Sequence, residues 1–426
     1  MKVICSPLSA GFGPGTSADL EIVLYSRADC ASRGTVGAGI LDRISRAKLR
    51  PAAHAWDLLS IALSVIAADM GVRRAQSPDG WTREIDLQIT VADPALWTGQ
   101  KPLLENQLRF LTTDIWNITF ESGGIQPVSP DVPNMPEEGC VALLSGGLDS
   151  LVGAIDLVSR EGKRPYLVSQ VTKGDKEKQK YLAAKIGGEL NLLQLNHKAN
   201  CPGENERSQR ARSFIFFAYA VLLATALKRY HDGNVVTVYV CENGFISVNP
   251  PLTPGRIGSL SSRTTHPVYL SLLQSLLDAA GLRVRIHNPY QFKTKGEMLT
   301  DCADQDFLQR HAHMTTSCGR FARYHCCHCG RCLPCLIRRA SFHAWGVPDK
   351  TKYIYAELSP NDSRHAGFDD VRSAAMAVAE VRAYGLDHWL GASLNSTVMG
   401  DTKSYKQVVG RGLEELGKFL DAAGVK

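Results

Sequence analysis

The 426-residue chain has no lysine-rich tail or basic stripe, and its formal charge is only +6. That balance tolerates an anionic ligand, even RNA, but demands neither, so nucleic acid is not an expected partner. The most apolar helical stretch, Ser213 to Leu227, is too short to span a bilayer and is bracketed by Arg212 and Lys228. It reads as a buried helix packed on a sheet, and no membrane partner is expected. The first residues, Met1-Lys2-Val3-Ile4-Cys5-Ser6-Pro7, lack an apolar core of secretory type. No internal repeat or low-complexity tract is visible. Most of the twelve cysteines are scattered singly, which argues against a disulfide framework and for a reducing compartment. A cytoplasmic location is therefore expected. Hydrophobic content of 44% and charged content of 21% are ordinary for a soluble enzyme. The length suits two or three domains and can bury roughly three quarters of the unfolded surface.

What is present begins with Ser145-Gly146-Gly147-Leu148-Asp149-Ser150. Before it, Cys140-Val141-Ala142-Leu143-Leu144 predicts a buried strand. After it, Leu151-Val152-Gly153-Ala154-Ile155-Asp156-Leu157-Val158 has helical spacing. A strand, a glycine-rich turn and a helix in that order make an anion cradle. The turn's N–H groups point inward, and the helix N-terminus adds partial positive charge. The two glycines let the backbone close on phosphate oxygens, and Ser145 and Ser150 supply hydroxyl donors. No Lys-Ser/Thr pair closes the turn, so it is not a Walker A loop. The competing reading is a tight strand–helix turn without a ligand. The whole string resembles the pyrophosphate loop of the N-type ATP pyrophosphatases, which form an adenylated intermediate and release pyrophosphate.

A second constellation lies downstream. Ser317-Cys318 is followed by Cys329-Gly330-Arg331-Cys332-Leu333-Pro334-Cys335. Three cysteines in a C-x-x-C-x-x-C run, with a fourth a short loop upstream, suit tetrahedral zinc with no open coordination position. Such a site is structural, and metal binding contributes folding free energy. An iron–sulfur cluster competes, because the same spacing serves one. His325, Cys326, Cys327 and His328 are surplus donors, and Cys326 is an alternative to Cys329.

Residues 1–135 carry the alternating stretches Ile85–Val91 and Ile115–Phe120, a helix from about His54 to Met70, and a further strand over Leu20 to Tyr25. They predict a small α+β domain. A Gly/Pro/Ser-rich linker over 122–138 sets the main boundary. From Gly139, strands and helices alternate. Strands are expected at Val141–Leu144, Pro165–Thr172, Leu190–Leu195, Val235–Cys241 and Arg283–Ile286. Helices are expected at Leu148–Arg160, Asp175–Ile186, Arg212–Tyr230 and His266–Ala280. That order implies a Rossmann-like parallel sheet in an α/β domain over 136–350, with ligands beyond the carboxyl ends of the strands. Residues 351–426 are expected to form a helical tail packed on it.

The two motifs together resemble the 7-cyano-7-deazaguanine synthases, the QueC family, over roughly residues 138–350. The matching end runs from Thr316-Ser317-Cys318 to Cys335, then Arg338, Ala340 and Phe342. The resemblance implies an adenine nucleotide alpha hydrolase-like fold and a structural Zn²⁺ on Cys318, Cys329, Cys332 and Cys335. It also implies an ATP-dependent reaction, with Mg²⁺, on a 7-carboxy-7-deazaguanine carboxylate. Ser145, Gly146, Gly147, Leu148, Asp149 and Ser150 would hold the β- and γ-phosphates, with Asp149 either reaching Mg²⁺ through water or capping the loop's N–H groups. Ser169 would line the nucleotide, and Arg212 would stand near it. Lys295 or Lys293 would stabilise charge on the phosphates. Glu242, Asn243 and Asn249 are candidates for a guanine-like edge, and Arg263 and His266 for a carboxylate or phosphate.

The chain departs from the plain family pattern. It has long extensions at both ends, and the strings Glu242-Asn243-Gly244-Phe245-Ile246-Ser247-Val248-Asn249-Pro250-Pro251-Leu252-Thr253-Pro254 and Ser262-Arg263-Thr264-Thr265-His266-Pro267. These resemble the larger QueC-like proteins of bacterial anti-phage islands, the Qat branch. That branch implies amide formation with the N-terminus of a partner protein rather than with ammonia. The alternatives are nitrile synthesis with ammonia, tRNA modification by another branch of the superfamily, and a non-catalytic nucleotide-binding module.

Overall fold

A computed structural model describes residues 1–12, 17–127, 130–171, 174–252, 263–364, 367–391, 394 and 399–425. Thr172, Thr253, Pro254 and Ser262, which belong to segments singled out above, lie outside the described residues. The first unit contains β1 (Lys2–Ser6), β2 (Leu20–Leu24), β3 (Gly34–Val36), α1 (Ile40–Arg46), α2 (Ala53–Gly71), β4 (Glu84–Val91), α3 (Pro94–Gly99), α4 (Lys101–Thr112) and β5 (Ile115–Ser122). The second contains β6 (Cys140–Leu143), α5 (Leu148–Ser159), β7 (Tyr166–Gln170), α6 (Lys176–Lys185), β8 (Leu192–Leu195), α7 (Ser213–Ala224), α8 (Lys228–His231), β9 (Val236–Tyr239), α9 (Gly244–Ser247), α10 (Pro267–Ala279) and β10 (Val284–His287). There follow α11 (Lys295–Thr300), α12 (Gln305–His311), α13 (Leu333–Trp345), α14 (Asp369–Tyr384), α15 (Leu386–Leu390) and α16 (Thr402–Ala422).

Each unit has a five-stranded sheet, and both have the same strand order. The first runs β3-β2-β1-β4-β5 and the second runs β8-β7-β6-β9-β10. Every strand pair is parallel. The α/β expectation for the second unit is met. The α+β expectation for residues 1–135 is corrected to a parallel α/β sheet. The physical reason lies in the outer face of that sheet. Ile85, Leu87, Ile89 and Val91 are buried, whereas Glu84 and Asp86 are exposed, and on β5 Trp116 and Ile118 alternate with exposed Ile115, Asn117 and Thr119. Parallel strands usually have both faces covered and read as continuous apolar runs. Here helices cover one face, so the strands alternate like those of an antiparallel sheet.

Helices α2 and α7 pack against each other between the two sheets and join them in one core. Helix α2 is long and apolar enough to cross a membrane by length and composition, but it is buried in this core from Ala55 to Met70. The expected helix Arg212–Tyr230 is divided into α7 and α8, because Leu227 is extended and the Lys228 amide bonds to Pro136 carbonyl oxygen, 2.9 Å.

A buried ionic network clamps the two units. Arg83 bridges Asp69 (2.5 Å) and Asp114 (2.6 Å), and Arg74 grips both oxygens of Asp114 at 2.6 and 2.9 Å. The second oxygen of Asp69 accepts the amides of Arg210 and Ala211 at 2.7 and 2.8 Å, directly ahead of α7. Charges this deep persist only when paired and hydrogen-bonded.

Candidate functional site

The glycine-rich turn joins β6 to α5, at the carboxyl end of the central strand of the second sheet. Gly146 has φ +88°, a conformation that needs glycine. Ser145 is exposed at the rim, and its hydroxyl accepts the Gly147 amide (3.2 Å) and meets Ser150 Oγ at 3.1 Å. Ser150 Oγ donates to Gly147 carbonyl oxygen, 2.9 Å, which ties the turn to the helix. Helix α5 starts at Leu148 with no side-chain cap, and first-turn amides have no intrahelical acceptor. An anion therefore meets oriented N–H groups here.

Asp149 does not cap those amides. Its side chain is buried and points to the protein side of the loop. Lys295 Nζ bonds one carboxylate oxygen, and Asn243 supplies its amide (3.1 Å) and side-chain NH₂ (2.7 Å) to the other. Burial alone would raise the Asp149 carboxyl, but Lys295 outweighs it and holds the group at about 2. Both oxygens are committed, so Asp149 does not fit a magnesium ligand, and that expectation is corrected. Glu242 stands next to this pair, and Asn243 Nδ2 reaches its Oε1 at 3.2 Å. Burial and the neighbouring Asp149 charge push the Glu242 carboxyl well above its ordinary range. Asn243 also caps α9 by accepting the Ile246 amide, 3.0 Å. Its side chain is thus spent on protein contacts.

The other expected residues divide. Ser169 is buried and donates to Leu144 carbonyl oxygen, 2.5 Å, so its hydroxyl braces β7 against the loop strand. Arg212 is exposed at the N-terminus of α7, and its charge helps burial lower His197 to about 4. Asn249 ends α9 in a left-handed conformation, φ +54°. Lys293 pairs with Asp301, 2.9 Å, and is not brought to Asp149 as Lys295 is. Arg263 donates to Phe110 carbonyl oxygen, 2.6 Å, and lies over the Phe110 ring, while His266 caps α10 by accepting the Val268 amide, 3.2 Å. Burial and Arg263 lower His266 to about 4. Both residues lie against α4 of the first unit.

Cys318, Cys329, Cys332 and Cys335 are all buried, and their sulfurs lie within 4.8 Å of one another. The Cys318–Cys332 and Cys329–Cys335 separations are 3.8 and 3.9 Å. A tetrahedron with zinc–sulfur arms of about 2.3 Å has edges of about 3.8 Å, so the donor set fits zinc. Amides of Arg320 and Cys329 point at Cys318 sulfur, each at 3.3 Å, as thiolate acceptors require. Cys326 and Cys327 are exposed and outside the group, as are His325 and His328. His328 accepts the Ser317 amide instead, 3.1 Å.

Sequence reasoning did not foresee the coupling between this cluster and the turn. The Thr316 amide donates to Gly146 carbonyl oxygen, 2.9 Å, and its hydroxyl to Asp175, 3.1 Å. Arg338, fully buried, holds the same segment through Ala312 carbonyl oxygen, Thr315 Oγ1 and Ser317 Oγ at 2.7, 2.8 and 3.1 Å. Gln179 spans Ser145 and Gln170 carbonyl oxygens at 3.3 and 3.1 Å. The position of Asp175 and Gln179, on the helix after the next strand's carboxyl end, was the available signal.

Fold and site define an α/β protein with a glycine-rich anion loop on a Rossmann-like sheet, a buried Asp–Lys pair behind it and a four-thiolate cluster beside it. The chain is similar to two curated proteins named 7-cyano-7-deazaguanine synthase. That of Paracoccus denitrificans (strain Pd 1222) is 34% identical over 98 residues, covering 22% of this chain and 39% of that protein. That of Rhizobium leguminosarum bv. trifolii (strain WSM2304) is 30% identical over 178 residues, covering 39% of this chain and 65% of that protein. The chain thus matches less than two thirds of the length of either relative. No family model matches it, and no solved structure matches it.

Proposed function

We propose that the chain is an ATP-dependent enzyme that adenylates the carboxylate of a 7-carboxy-7-deazaguanine-type base and transfers the acyl group to an amine. The observation that carries this reading is the buried Lys295–Asp149 pair, fixed by Asn243 directly behind the Gly146-Gly147 turn. Similarity to proteins named 7-cyano-7-deazaguanine synthase supports the substrate class. A carboxylate oxygen of the substrate attacks the α-phosphorus, and pyrophosphate leaves. The amine nitrogen then attacks the acyl carbon, AMP leaves, and the nitrogen gives up a proton. Ser145, Gly146, Gly147, Leu148 and Ser150 cradle the phosphates. Lys295 supplies positive charge where the phosphoryl groups gain negative charge. Glu242 lies beside the pair, where a protonated carboxyl can donate to a polar substrate edge. Bound zinc would hold the Cys318–Cys335 segment folded, and through Thr316 that segment supports the turn.

Two amine acceptors are distinguished by experiment. The relatives' name favours ammonia and a nitrile product. The strings around Glu242–Leu252 and Arg263–Pro267 favour the N-terminus of a partner protein in an anti-phage system. Incubation with ATP and 7-carboxy-7-deazaguanine should release AMP and pyrophosphate. Added ammonia should give the nitrile in the first case. In the second, mass spectrometry of the neighbouring gene product should show a deazaguanine mass on its first residue. ATP that stays intact until tRNA is added would overturn the substrate assignment in favour of RNA modification. Nucleotide binding without any turnover would favour a non-catalytic module.

A further inference from the structure

We propose that α16, near the end of the chain, is a positioning element for Lys295 and Asn243, with Glu415 as its principal residue. This rests on the proposed function for its meaning but not for its test. The two oxygens of Asp149 are held from two elements, α11 through Lys295 and the cap of α9 through Asn243. Neither is long: α11 has 6 residues and α9 has 4. Short helices of this kind do not hold themselves in place. Helix α16 grips both. Glu415 accepts from Thr294 Oγ1 and from the Gly296 amide (3.3 Å), the residues on either side of Lys295. One turn earlier, Arg411 pairs with Glu297 at 2.5 Å and donates to Phe292 carbonyl oxygen at 2.7 Å. Glu297 in turn closes the capping box of α11 with Thr294. On the α9 side, a Cβ at Gly412 would stand 2.4 Å from the Phe245 ring, and one at Gly244 would stand 3.2 Å from Val408. Positions 408, 411, 412 and 415 share one helical face. That face fixes the two groups that define where Asp149 and Lys295 sit.

The test uses the full chain and three proteins: wild type, Glu415→Ala and Glu415→Gln. Glutamine keeps an acceptor oxygen for Thr294 or Gly296, whereas alanine removes it. The first readout is independent of catalysis. Lys295 is 5% exposed, while the Lys293 side chain is 35% exposed. Acetylation by an amine-reactive reagent, followed by peptide mass spectrometry, should label Lys295 at least about tenfold faster in Glu415→Ala than in wild type. Lys293 should be unchanged, and Glu415→Gln should lie near wild type. The second readout is steady-state pyrophosphate release. Misplacing a charged group by an ångström costs up to about 10²-fold, so kcat should fall in Glu415→Ala with KM for ATP little changed, and recover in Glu415→Gln. Equal Lys295 labelling in all three folded proteins would overturn the inference. If wild type itself releases no pyrophosphate, the functional reading fails while the labelling result still decides this one. Should Glu415→Ala fail to fold, the same comparison is made with Arg411→Gln, and equal labelling there has the same force.

Discussion

The two halves of the molecule share a strand order and differ at one place. In each sheet the order reverses beside the central strand, where α/β folds leave a crevice at the carboxyl ends. In the second sheet that crevice holds an uncapped helix start after two glycines, with its amides turned outward. In the first sheet the equivalent amides are already used. Asp57, from α2, accepts the Ala92 and Asp93 amides at 2.7 and 3.1 Å and the Trp97 indole at 3.0 Å, just past the end of β4. The linker closes the rest: Gly124 packs so tightly on Val91 and Ala92 that a Cβ would lie 2.3 Å from backbone. An internal carboxylate occupies the cradle in one half, and the other half leaves it for a ligand. The same topology therefore yields a scaffold and a site, and local chemistry decides which.

If the first half is a scaffold, breaking it should unfold the chain rather than slow it. Asp114 is fully buried and serves Arg74 and Arg83 together. Removing one member of such a network leaves buried cations unpaired. Asp114→Ala is expected to cost about 3–5 kcal/mol in a urea melt. Molecules that remain folded should keep wild-type turnover. A large loss of kcat in fully folded Asp114→Ala would mean that the first half takes part in the chemistry.

The second half should show the opposite pattern. Lys295→Ala is expected to lower pyrophosphate release by about 10²–10³-fold, the effect of losing one well-placed charge in a transition state. Lys293→Ala, whose partner is Asp301, should change it by no more than about twofold, the scale of a surface ion pair. Equal effects of the two substitutions would remove the distinction between the lysines.

How much of this was legible in the sequence depends on whether a residue's partners are near it in the chain. The Ser145–Ser150 turn and the Cys318–Cys335 group are local patterns, and both appear where their spacing put them. Asp149 was singled out, but its direction depends on Lys295 and Asn243, whose approach only the tertiary fold supplies. Arg263 and His266 looked like ligand groups because they stand in a polar cluster, yet Phe110, on α4, takes both. The first unit was misread for a related reason: alternation reports one covered face and says nothing of strand direction.

A middle-sized effect probes the link between the thiolate group and the turn. Cys332→Ser should lose bound zinc, measured by atomic absorption. Through Thr316 it should also raise hydrogen exchange at Gly146 and Gly147 and weaken nucleotide binding by up to about 10²-fold. Unchanged exchange at the turn after metal loss would show the two to be independent.

The smallest effect concerns the brace itself. Glu415 is pushed up from 4.5 to about 7, by burial first and then by Glu297, against the lowering effects of Thr294, Gly296 and Arg411. Between those two values the folded chain retains a proton that the unfolded chain has released. Rising pH therefore favours unfolding in this window, and the contribution is lost as pH climbs from about 4.5 through about 7. Glu415→Gln cannot titrate. Its Tm, taken as a difference from wild type at each pH, should climb by a few degrees between pH 5 and pH 8 and be flat above that range. Other carboxylates titrate in both proteins and cancel in the difference. A flat difference throughout would place Glu415 in ordinary solvent and weaken the grip of α16 on α11.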